Sequence, residues 1–113
     1  MKKLLLTLSL AFSMLFPAAA QSVEANLVEA VQLYSDGKIK QARELLQTLS
    51  VAAPDNDAVW YYLALTQTVS NQLEQAEKSL EKAIALDSSN YWYRRMLARM
   101  YLMHGKPAEG KAL

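Results

Sequence analysis

The chain has 113 residues, 52% of them hydrophobic, with 12 basic and 11 acidic side chains and no cysteine. That is room for one small domain whose fold rests on packing alone, without disulfides, thiol catalysis or thiolate metal sites. The near balance of charge gives no case for nucleic acid as a partner.

The opening stretch MKKLLLTLSLAFSMLFPAAA joins Lys2 and Lys3 to an apolar run from Leu4 to Phe16 and small residues ending at Ala20. This is the pattern of a secretory signal peptide, residues 1–20, cleaved after Ala20. The apolar run is shorter than the roughly 20 residues a membrane-crossing helix needs. A periplasmic or secreted protein with no stable membrane anchor is therefore expected, retention of the leader as an anchor being the alternative. No cysteine is present to carry a lipid at the new terminus.

From residue 23 onward the sequence matches itself without gaps at an offset of 34. Ala30, Ala64 and Ala98 align, as do Gly37, Asn71 and Gly105, and Ala42, Ala76 and Gly110. Leu46 pairs with Leu80, Leu63 with Leu97 and Asn56 with Asn90 in the same register. A fixed period of this size means stacked repeats. The repeat domain, 21–113, divides into units at 23–56 and 57–90 and a partial unit at 91–113.

Each complete unit contains two apolar stripes at helical spacing with a breaker between them. In the first unit the second stripe is Ile39, Ala42, Leu45, Leu46 and Leu49, with charged and amide residues on the other face. In the second unit Trp60, Leu63, Ala64 and Gln67 form one stripe, and Leu73, Ala76, Leu80, Ala83 and Ile84 the other. Gly37, Asn71 and Gly105 fall where the first helix of each unit must stop, and Gly and Asn best tolerate the left-handed conformation of such a stop. Pro107 suits the first turn of a following helix. The aligned alanines let neighbouring helices approach closely. Trp60 is expected in the core between paired helices, and Glu74, Glu77 and Glu81 on the solvated face of one helix.

These residues resemble the tetratricopeptide repeat family, whose pattern places Trp, Leu, a small residue and Tyr on the first helix, and Ala, a bulky apolar residue and Pro on and after the second. Trp60, Leu63, Ala64, Ala76 and Leu80 fit in the second unit; Ala30, Ala42, Leu46 and Pro54 in the first; Leu97, Ala98 and Tyr101 in the third. Gln67 departs where the family prefers Tyr, and Ser88 where it prefers Pro; Asn26 and Glu29 stand at the opening Trp and Leu positions of the first unit. The resemblance implies an all-α fold, an α-solenoid of about two and a half helix hairpins in a right-handed superhelix. It also implies that the first helices of successive units line a concave groove.

On that register the groove-facing residues include Tyr34, Tyr61, Tyr62, Leu65, Trp92, Arg95, Met96 and Arg99. Aromatics, Met and Arg are enriched where proteins meet. The competing reading is that Tyr and Trp simply cover the ends of a thin core. Arg95 and Arg99, one turn apart, suit a carboxylate or an acidic peptide. Charge is uneven along the chain: Arg94, Arg95, Arg99, Lys106 and Lys111 face Glu109 alone in the third unit, while the first two units are net acidic. That suits an acidic partner or the acidic flank of a second copy, and it is also what a solvated charged face looks like.

His104, the single histidine, sits beside Gly105 at an expected helix end, where a cation is favourable against the helix dipole. No cofactor or metal is implied, and no nucleophile is paired with a base, so no enzyme is expected. With the third unit cut short, Leu97, Met100, Tyr101 and Met103 are expected to be only partly covered. The expected function is that of a periplasmic protein-protein interaction module or adaptor that binds a partner segment in the groove. The alternative is a self-assembling structural subunit that completes its open C-terminal end by forming homo-oligomers.

Overall fold

The computed structural model describes residues 23–106, 109–110 and 113; the leader at 1–20, its cleavage site and Pro107 lie outside them. The described residues form five helices and no strand. They are α1 over residues 23–35, α2 Ile39–Ala52, α3 Asp57–Val69, α4 Leu73–Leu86 and α5 Tyr91–Met103. Helical backbone resumes at 109–110. Thus α1 and α2 make the first hairpin, α3 and α4 the second, and α5 opens the third.

The repeat is written into the hydrogen bonds. Gly37, Asn71 and Gly105 all have positive φ, at 80°, 60° and 72°. At each stop the left-handed residue and the one after it donate backward in a paired pattern: Gly37 to Tyr34 and Lys38 to Leu33, Asn71 to Thr68 and Gln72 to Gln67, Gly105 to Leu102 and Lys106 to Tyr101. This is the Schellman closure, which satisfies carbonyls that the end of a helix would otherwise leave orphaned. At the opposite turns, Asn56 and Asn90 cap α3 and α5, accepting from the backbone N–H of Val59 at 3.3 Å and of Trp92 at 3.0 Å. Substituting such a cap by Ala typically costs about 1 kcal/mol.

Two apolar clusters run along the array. One joins α1, α2 and α3 through Ala30, Leu46, Leu49, Val59 and Leu63. The other joins α3, α4 and α5 through Ala64, Ala76, Leu80, Ala83, Tyr93, Leu97 and Met100. The small residues act as expected: Ala30, Ala42, Ala64 and Ala76 are fully buried. At the third repetition of the motif a Cβ on Gly110 would lie 3.1 Å from the Ala98 carbonyl oxygen.

Three expectations are corrected. Leu97 and Met100 are buried, in one cluster with Ala64 of α3 and Ala76, Leu80 and Ala83 of α4; Met103 is exposed as expected. Trp60 is half-buried rather than enclosed. It packs against both clusters, its indole N–H donates to the Pro54 carbonyl at 2.7 Å, and Lys82 Nζ lies 5.1 Å from the ring centroid. Glu77 is buried at 7% exposure, for a reason that belongs to the junction described next.

Candidate functional site

Consecutive units are fastened on two sides. On one side Tyr61 of α3 stacks on Tyr93 of α5, with centroids 5.0 Å apart, and meets Tyr62 edge-on at 5.1 Å. Its hydroxyl accepts from the Trp92 indole N–H at 2.7 Å, and the Tyr93 hydroxyl donates to Asp57 Oδ2 at 2.6 Å. Burial, first, and then the carboxylate of Asp57 push the Tyr93 hydroxyl pKa well above the ordinary tyrosine value. The run of three aromatics at Trp60–Tyr62 therefore serves inter-repeat packing.

On the other side, the Glu77 carboxylate of α4 contacts His104 Nδ1 through one oxygen and lies 3.4 Å from Lys106 Nζ through the other. His104 caps α5, as its place in the sequence suggested, but its ring turns across to α4 instead of lying along its own helix end. Its Nε2 is buried without a hydrogen-bond partner among the described residues. One repeat earlier the same two positions hold Arg43 and Ser70, and the guanidinium donates to the hydroxyl. This junction position is polar both times, a signal that the offset of 34 could have exposed. Nearby, the Tyr101 hydroxyl donates to Glu81 at 3.2 Å, and burial followed by Glu81 raises its pKa. Gln67, at the position where the family prefers Tyr, is buried and accepts from the Ser79 hydroxyl at 2.7 Å, so its polar end is matched.

The residues expected to face the groove are not brought into one surface. Tyr61, Tyr62 and Trp92 come together in the aromatic cluster. Met96 and Arg99 line a cleft of about 400 Å³ with Thr68, Met100, Leu102 and Met103, between the C-terminal halves of α3 and α5. Its apolar side chains are open to solvent: Leu102 and Met103 are 60% and 63% exposed. Arg95 is not part of this cleft. It lines a separate depression with Arg94, Tyr91 and Ala98, so the two arginines do not form one clamp. Leu65 is half-buried on α3, and Tyr34 is half-buried in the last turn of α1, at the repeat position of Thr68.

Among the described residues, no three His, Cys, Asp or Glu side chains are grouped to hold a metal ion, and no helix is long and apolar enough to cross a membrane. The arrangement is one of packed hairpins with an open, methionine-lined face.

The fold is tetratricopeptide-like, and residues 33–82 match the family model described as tetratricopeptide repeat. No curated protein matches the chain. Among solved structures, the type III secretion translocator chaperone SycD of Yersinia enterocolitica is similar with a TM-score of 0.77 and 22% identity, over 81% of this chain and 70% of that one. SycD in complex with a peptide of the translocator YopD gives 0.78 and 21%, over 81% and 70%. MamA from Desulfovibrio magneticus gives 0.76 and 24%, over 79% of this chain and 50% of that one. At these identities the likeness is one of fold.

Proposed function

We propose that this chain is a small tetratricopeptide repeat protein that binds a segment of another protein along the face formed by α3 and α5 and performs no chemistry itself. The observation that carries this is the cleft of Thr68, Met96, Arg99, Met100, Leu102 and Met103. Methionine is unbranched and polarizable, so the accessible Met96 and Met103, backed by the buried Met100, suit varied apolar side chains. Arg99 on the same wall adds a fixed positive charge with bidentate donors. The matching occupant is a helix or extended segment with apolar anchors and a neighbouring carboxylate. A similar scaffold, SycD, is found with a peptide of YopD, which supports peptide capture as a use of this fold. The leader pattern of residues 1–20 supports a periplasmic setting for this adaptor role.

A photo-crosslinking residue at Leu102, expressed in the native host, tests the site. Defined adducts are expected, and they are expected to vanish when Met96 and Met103 are both replaced by Asp. Adducts indifferent to that double change would remove the cleft from the account. N-terminal sequencing of the protein recovered from the envelope fraction tests the setting: a start at Gln21 is expected, and a start at Met1 in the cytosol overturns it.

A further inference from the structure

The repeat register says which surface of one unit meets which surface of the next. In the observed junction Asp57 and Tyr61 of α3 meet Trp92 and Tyr93 of α5. Moving forward by 34, the positions of Asp57 and Tyr61 fall on Tyr91 and Arg95. Moving back by two periods, the positions of Trp92, Tyr93 and Met96 fall on Glu24, Ala25 and Val28. The last described face therefore offers Tyr91, Arg94 and Arg95, and the first offers Glu24, Val28 and Glu29.

The two faces are complementary. Tyr91 and Val28 are both 70% exposed, an unusual state for residues whose repeat-mates pack between units. Glu24, Glu29, Arg94 and Arg95 are all exposed, and none forms an ion pair among the described residues. Where Tyr61 accepts a hydrogen bond from Trp92 inside the chain, the same register between two copies sets Arg95 opposite Glu24.

We propose that this protein associates head to tail, the α1 face of one copy seating on the α5 face of another, with Arg95 paired to Glu24 and Tyr91 set against Ala25. The contact is heterologous, so it extends into short open chains rather than closing as a symmetric dimer. Its ionic part lies at the rim and is weakened by salt. The proposed contact centres on the N-terminal half of α5, whereas the methionine-lined cleft lies toward the C-terminal end of that helix.

Sedimentation velocity on the purified protein over a wide concentration range tests this. The expected result is a mass that rises with concentration and falls in 0.5 M salt (about a 4 Å screening length). Arg95→Glu and Glu24→Arg should each weaken assembly about fivefold to tenfold, and mixing the two variants should restore it by joining opposite charges again. Circular dichroism confirms that each variant is folded. A wild-type protein that stays monomeric throughout, reversals without effect, or a mixture that fails to recover would each overturn the proposal. The Met96 and Met103 substitutions are expected to leave assembly intact, so failure here and failure of partner capture are told apart.

Discussion

Replacing Tyr93 with Phe removes one oxygen from the junction between the second and third units and leaves the ring stack on Tyr61 in place. The lost bond is short, 2.6 Å, partly buried, and made to a carboxylate. Hydrogen bonds to charged groups contribute roughly 1.5 to 3 kcal/mol. Asp57 lies in the first turn of α3, where the helix dipole and solvent still favour its charge, so the lower figure, about 1.5 kcal/mol, applies. For a domain of this size each 1 kcal/mol shifts Tm by roughly 4 to 8 °C, giving a loss of about 6 to 12 °C. The same substitution has a signature in pH. The Tyr93 pKa is raised on folding, so the native state keeps the proton after the unfolded chain has released it near pH 10. The stabilisation is fully present below about pH 10 and is lost as pH rises from there toward the folded value. Thermal melts followed by circular dichroism from pH 7 to 11 should show wild-type Tm falling at the alkaline end, and a shallower fall in the variant. The remaining slope belongs to Tyr101, whose pKa is also raised. A variant within about 0.5 kcal/mol of wild type at pH 7, with an unchanged alkaline slope, would refute the role given to this bond.

Two further substitutions probe the other contacts. Leu80→Ala, at a fully buried position between α3, α4 and α5, should cost about 2 to 5 kcal/mol in denaturant titration; a loss below 1 kcal/mol would mean that the cluster relaxes around the void. His104→Ala leaves the buried Glu77 with Lys106 alone and should cost about 1 to 3 kcal/mol, whereas the paired change Glu77→Leu with His104→Ala should recover most of that loss. Failure of the pair to recover would show that the ring contributes packing more than charge compensation.

The periodic features of this fold were legible because they are backbone requirements. A left-handed stop admits few residues, and Gly37, Asn71 and Gly105 announce it. A close helix crossing admits only small side chains, and the aligned alanines mark it. The inter-repeat contacts were harder to read, since they join residues about one period apart and vary in chemistry from one junction to the next. Val59 and Tyr93 occupy one position and differ greatly in size; Ser70 and His104 occupy another and differ in charge. Glu77 looked solvent-facing because helical periodicity describes one helix at a time, and its burial comes from the end of the following helix. For the same reason Arg95 was grouped with Arg99. They share a face of α5, but the position of Tyr61 shows that Arg95 looks along the array while Arg99 looks into the cleft.

The two apolar clusters share one side chain, Trp60, which packs against both. In a linear array each hairpin feels only its neighbours, so communication between the halves depends heavily on that indole. Smaller residues there should turn a single melting transition into two, with the halves losing structure at separate temperatures. In the chain that keeps Trp60, the indole's emission reports from the seam itself, beside that of Trp92 on α5.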